Sequence, residues 1–147
     1  MKILIICTGN ACRSQMAEGF LKKFKPEWEV FSAGTFPASA VTAKAIRAMK
    51  EIGIDISGNH PKNVEEFISQ SFDYVITVCD NAKEACPVFL GNVQHRLHMG
   101  FEDPGNAIGS DEFILNEHRR VRDEIAKKFS DFAEQFPSTQ GYRKSWE

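Results

Sequence analysis

Residues 2–6 are almost entirely apolar and do not alternate, with Ile3, Leu4, Ile5 and Ile6 in a row. A parallel strand covered on both faces reads this way. From Met16 the apolar residues fall at helical spacing, through Ala17, Phe20, Leu21 and Phe24, which predicts a helix over about 13–24 that Pro26 helps to end. Residues 28–32 alternate and predict a second strand, and 32–37 read as a loop broken by Gly34 and Pro37. A second helix is predicted over 42–52, with Ala45, Ile46, Met49 and Ile52 on one face and Gly53 as its stop. Residues 54–56 suit a short strand or an extended connection, 57–61 a turn, and Val64, Phe67 and Ile68 a short third helix. Residues 73–78 predict a further buried strand running into Cys79, and 80–87 a polar loop or brief helix. The last strand is expected over 93–99 and a loop over 100–109. A long amphipathic helix follows over about 111–136, facing inward with Ile114, Val121, Ile125, Phe129, Phe132 and Phe136, and the polar tail 137–147 is expected to fray.

Strands alternating with helices imply an α/β fold, a parallel sheet with helices on both faces. The expectation is a flavodoxin-like three-layer sandwich of four or five strands. No repeat or linker interrupts the chain, and 147 residues suit one domain spanning 1–147. In such sheets ligands bind at the carboxyl ends of the strands, where both Cys7 and Cys79 fall.

Composition narrows the function classes. With 42% hydrophobic and 26% charged residues the chain is ordinary for a globular protein. A net charge of −2 gives no general basic field for nucleic acid or a membrane surface. The N-terminal apolar run is too short for a signal peptide, so a cytoplasmic protein is expected, with its four cysteines reduced, catalytic or metal-binding. No Cys-x2-Cys knuckle occurs, which argues against a zinc centre.

The chemistry concentrates between the first strand and the first helix. Cys7, Thr8, Gly9, Asn10, Ala11, Cys12, Arg13 and Ser14 form the loop that joins them. Such a loop turns backbone N–H groups toward one point, and the helix N-terminus adds partial positive charge. A tetrahedral oxyanion fits there. Arg13 can grip two of its oxygens in a fork. Cys7 sits in an electropositive pocket that favours the thiolate, a nucleophile facing a captured anion. Taken alone, a cysteine ending a strand is ordinarily a small apolar residue; the combination with Arg13 five residues on reverses that reading.

Asp103, fixed by Pro104 in a loop after the last strand, is the leading candidate for an acid that protonates a departing oxygen, with Glu102, Asp80 and Glu84 as rivals. Cys79 and Cys86 flank a short polar loop and stand close enough to form a disulfide if that loop bends. Asn10 is expected in a left-handed conformation, and Ser14, Ser32 and His60 could brace the loop. His95, His98 and His118 read as surface residues without a role.

The run from Cys7 to Glu18 resembles the phosphate loop of the low-molecular-weight protein tyrosine phosphatase superfamily. It is most similar to the thioredoxin-coupled arsenate reductases, which carry Gln where Gln15 stands and the phosphatases carry Pro. Ser32 to Gly34, Ile54 to Ser57 with His60, Val75 to Cys79 with Cys86 and Pro87, Gly100 to Pro104, and Arg120 to Ile125 match the same family in order. The resemblance implies a low-molecular-weight phosphatase-like domain that reduces arsenate to arsenite. It implies that Cys7 attacks arsenate and that Arg13 and the loop amides of residues 8–14 hold the charge. Asp103 assists the departing oxygen. A Cys7–Cys79 disulfide then passes to Cys79–Cys86, which thioredoxin reduces as an external partner. Asn10, Ser14, Ser32 and His60 would hold the loop rigid. A potassium ion, bound in some members, would lie near Asn10, Glu18 and Ser32. No other cofactor is implied, and a monomer is expected.

Two other readings compete. A phosphomonoester hydrolase would need only Cys7, as a phosphocysteine intermediate, with Arg13 and Asp103. The paired tyrosines that follow the Asp-Pro loop in the phosphatases are replaced by Gly105 and Asn106, which weakens it. A non-enzymatic anion- or flavin-binding module would share the fold but has no need of this Cys and Arg spacing.

Overall fold

The structure, a computed structural model, describes residues 1–80, 84 and 88–137. Four strands form one wholly parallel sheet: β1 (Lys2–Cys7), β2 (Glu29–Gly34), β3 (Ser71–Thr77) and β4 (Asn92–His98), in the order β2-β1-β3-β4. Among the described residues there are three α-helices, α1 (Arg13–Phe24), α2 (Ala43–Lys50) and α3 (Asp111–Glu134), the last following β4. β1 is central, and Ile3 to Ile6 are wholly buried, as an unbroken apolar run requires.

The two faces of β1 are buried differently. Ile3, Ile5 and Cys7 join a core with Met16 and Leu21 of α1, Met49 of α2, and Val121, Ile125 and Phe129 of α3. Leu4 and Ile6 face a smaller cluster of Ala33, Phe67, Phe72, Val75 and Phe89. There the cover among the described residues is the one-turn 3₁₀ helix Val64–Phe67 and the ring of Phe89. The sandwich is α/β as expected, with one thick helical layer and one thin aromatic one.

Two local expectations, for 32–34 and for His118, need correction. Residues 32–34 are the end of β2 rather than a loop, because Gly34 pairs with Cys7 and donates its N–H to the Lys62 carbonyl at 2.8 Å. Residues 54–56 form a connection, one of the two forms expected of them. His118 is buried on the inner stripe of α3 between Leu115 and Val121, with Nδ1 2.8 Å from the Ile114 carbonyl. His95 and His98 are exposed, as read. The expectations for 80–87, apart from Asp80 and Glu84, and for 138–147 lie outside the described residues. No described helix is long and apolar enough to cross a membrane.

Candidate active site

Strand β1 ends at Cys7 and α1 begins at Arg13, and the five residues between them wrap around the Cys7 sulfur. The loop carbonyls point outward. Those of Thr8, Gly9 and Ala11 accept hydrogen bonds from the backbone N–H groups of Phe36, Ala38 and Thr42, each at 2.9 Å. Turning the carbonyls out turns the amides in. The Asn10 N–H reaches Cys7 Sγ at 3.2 Å, and the Ser14 hydroxyl lies 3.0 Å from the same sulfur. Both are positioned to steady a thiolate. At the start of α1, Cys12 occupies the N-cap position without a side-chain cap, and the first turn holds no acidic residue. The helix end is therefore left to an anion. α3 is the contrast: Ser110 caps it, accepting from the Phe113 N–H at 3.1 Å, and Asp111 and Glu112 fill its first turn.

Asn10 holds the loop's shape. It adopts φ 50°, the left-handed conformation expected of it, and is wholly buried. Its Nδ2 donates to Ser14 Oγ at 2.7 Å and to Ser32 Oγ at 2.9 Å. Its Oδ1 accepts from the Lys62 N–H at 2.9 Å and from Gln15 Nε2 at 3.2 Å. Gln15 also donates to the carbonyls of Asn10 and His60. His60 thus braces the loop through its backbone, not its ring. Gly34 backs the loop so closely that a Cβ there would stand 2.4 Å from the Thr8 carbonyl oxygen. Gly34, expected as a loop breaker, is instead required by this close approach.

Arg13 is buried beneath the cradle, and Phe101 anchors it by accepting from Nη1 at 3.1 Å. Asp103 Oδ2 lies 3.7 Å from Nη2, and Asp103 Oδ1 also accepts from the Gly105 N–H at 2.9 Å, capping the short 3₁₀ turn Pro104–Asn106. The turn reading holds, and the same carboxylate also faces the Arg13 guanidinium. Of its rivals, Glu102 lies toward Arg120 at 3.6 Å, and Asp80 lines a cavity of about 140 Å³ beside Asp103. Glu84 grips Arg13 directly, at 2.7 and 3.0 Å. Burial weakens the guanidinium's hold on its proton, but the hydrogen bonds to Glu84 and the field of Asp103 outweigh it and raise the Arg13 pKa.

The cysteines separate by environment. Burial, reinforced by the charge of Asp103, pushes the Cys12 thiol up to about 12, so it stays protonated and inert at neutral pH. Cys7 and Cys12 are free, whereas Cys79 is disulfide-bonded. Cys86 lies outside the described residues. The sheet register carries Cys79 to the same edge as Cys7. Ile6 pairs with Thr77, and the Val78 N–H donates to the Ile6 carbonyl at 3.0 Å. The two cysteines thus leave adjacent strands, which run about 4.8 Å apart.

The residues expected near a potassium ion are tied to one another. Ser32 Oγ donates to Glu18 Oε1 at 2.5 Å, and Lys22 Nζ donates to Glu18 Oε2 at 2.8 Å. With a protein ammonium on the carboxylate and both Asn10 oxygens engaged by protein donors, this set does not fit a bare cation. Among the described residues no group of three or more His, Cys, Asp or Glu is arranged to hold a metal.

Known proteins match this arrangement along almost its whole length. The family model for low molecular weight phosphotyrosine protein phosphatase matches residues 2–140. An arsenate reductase of Halalkalibacterium halodurans is 48% identical over 133 residues, covering 90% of this chain and 94% of that protein. A solved arsenate reductase in its oxidized state superimposes with a TM-score of 0.76 at 29% identity, over 92% of this chain and 98% of the other. One in its phosphate-binding state gives 0.75 at 30% identity, with the same coverage.

Proposed function

Because the chain belongs to the low molecular weight phosphotyrosine protein phosphatase family, we propose that it uses the family's cradle for redox chemistry, reducing arsenate to arsenite through a thiol relay. The observation that carries this reading is the second sulfur. Cys79 is an oxidised cysteine at the sheet edge where Cys7 ends the neighbouring strand, a feature that ester hydrolysis does not need. The arsenate reductase names of the relatives support it.

The Cys7 thiolate attacks arsenic(V), and an oxygen leaves as water after taking up protons, with Asp103 positioned to supply one. Arg13 and the loop amides hold the remaining oxygens. The Cys79 thiolate then attacks the Cys7 sulfur. The S–S bond forms, the S–As bond breaks, and its electron pair stays on arsenic, which departs as arsenite. Cys86 attacks Cys79, freeing the Cys7 thiolate and leaving a Cys79–Cys86 disulfide. An external dithiol of the thioredoxin class reduces it by exchange.

The test is arsenite formation by the full chain supplied with thioredoxin, thioredoxin reductase and NADPH. Turnover should continue in the parent protein, while C79S and C86S stop after a single cycle at most. After one cycle C86S should hold a Cys7–Cys79 bridge, read by mass spectrometry. Full multiple turnover in both variants would sink the relay.

Hydrolysis of a phosphomonoester remains the second reading, since the family carries it and Arg13 and Asp103 serve either oxyanion. The cavity beside Asp103 speaks against phosphotyrosine. Its described lining is Pro104, Asn106 and Ala107 with charged groups, and no aromatic ring on which a phenyl ring could stack.

A further inference from the structure

Glu84 has no part in the steps above, yet it makes close contacts in the cradle. Its Oε2 accepts from Arg13 Nη1 at 2.7 Å, and its Oε1 accepts from Arg13 Nη2 at 3.0 Å and from the Thr8 hydroxyl at 3.2 Å. A two-oxygen grip on the guanidinium fork is the geometry with which arginine holds a tetrahedral oxyanion. The carboxylate stands where two oxyanion oxygens would stand. It does not reach the rest of the nest: among the described residues the N–H groups of Gly9, Ala11 and Cys12 have no protein acceptor. Glu84 therefore takes the fork and leaves the amides.

Glu84 is tied to Asp80, the residue next to the redox centre. The Glu84 N–H donates to the Asp80 carbonyl at 2.9 Å, and the Asp80 N–H donates to Glu84 Oε2 at 3.2 Å. Asp80 directly follows Cys79, which is disulfide-bonded here while Cys7 is free. Burial disfavours the Glu84 charge. The hydrogen bonds from Arg13, the Asp80 N–H and Thr8 outweigh that and hold the carboxyl below its ordinary range, so it is an anion at neutral pH.

One guanidinium edge cannot serve two anions. We propose that Glu84 is the cradle's internal competitor for oxyanions: while Cys79 is in its disulfide, the Glu84 carboxylate holds the Arg13 fork and keeps arsenate or phosphate out until the disulfide is reduced. This rests on the relay reading and deepens it. An oxidised enzyme has regained its Cys7 thiolate but lacks a Cys79 thiolate to finish the reaction. If arsenate entered then, the Cys7–arsenic adduct would have no internal sulfur to resolve it. Glu84 closes that route by holding the Arg13 fork while Cys79 is oxidised.

The test uses inorganic phosphate, which binds without turning over, and the full chain in its disulfide and thiol-reduced forms. The disulfide form of the parent protein should bind phosphate about tenfold more weakly than the reduced form, the scale of one charge-assisted contact. E84Q should recover that factor in the disulfide form and change little in the reduced form. E84D, which keeps the charge but is one methylene short of the fork, should behave like E84Q and guards against an effect of lost folding. Equal affinity in the two parent forms, no recovery in E84Q and E84D, or no phosphate binding in any form would each overturn the proposal. These readouts do not involve arsenite, so they fail or succeed separately from the relay.

Discussion

At the scale of single residues, Asn10 shows how much one side chain decides. It is the only non-glycine at positive φ among the described residues, and it joins Ser14, Ser32, Gln15 and the backbone at Lys62. N10A would leave buried donors and acceptors unpaired, each about 1–3 kcal/mol when no replacement is found. The expected result is a destabilised chain in urea titration and phosphate affinity lowered by about tenfold or more, the second because the cradle amides lose their alignment. An unchanged phosphate affinity would show that the loop keeps its shape without Asn10. The left-handed turn was legible from Asn at that place in a strand-to-helix loop. The Lys62 contact was not, since it joins positions 52 residues apart and rests on a backbone N–H that every residue type carries. Glu84 was legible only as one acid among several; its grip on Arg13 joins positions 71 residues apart.

At the scale of elements, the seam between α2 and α3 carries a pH dependence. Glu51, just past the end of α2, accepts from Arg119 at 2.6 Å and from Arg122 at 3.1 Å on α3. The Arg119 hydrogen bonds, helped by those of Arg122, hold its carboxyl down at about 2 against an ordinary 4.5. A folded-state value below the unfolded one stabilises the fold at pH above about 4.5, and that contribution fades as pH falls toward 2. Stability followed by denaturation should therefore drop more steeply over that window in the parent chain than in E51Q. Identical slopes would show that the seam does not feel this charge. The helices themselves were readable from apolar spacing. The end of β2 was not, because Ser32, Ala33 and Gly34 are small residues whose extended form is imposed by pairing with β1 and by the Lys62 carbonyl.

At the scale of the whole molecule, the described residues cover the two faces of the sheet unevenly. The thin side depends on aromatic rings: Phe67 lies 5.4 Å from Phe31 and 6.3 Å from Phe72, and Phe72 lies 5.8 Å from Phe89. F67A should lower stability by about 3–5 kcal/mol, because among the described residues no α-helix on that face can settle into the gap. A urea midpoint shifted by only a fraction of this would mean that the described rings close over the cavity. The catalytic edge is also a whole-molecule product. Parallel strands send every carboxyl end the same way, so Cys7, Cys79 and the loop bearing Asp103 gather at one rim although the chain separates them widely.

From residue order alone came the alternation of strands and helices, the strand–loop–helix cradle with Cys7 and Arg13, and the two further thiols. Each is a local pattern, set by side-chain periodicity or by residue types a few positions apart. Tertiary structure alone decided which acid grips the arginine, that Gly34 is needed for close approach, that His118 is buried, and that Ser32 donates to Glu18. Those outcomes are contacts between segments far apart in the chain, and they exist only once the sheet register and the helix packing bring the segments together.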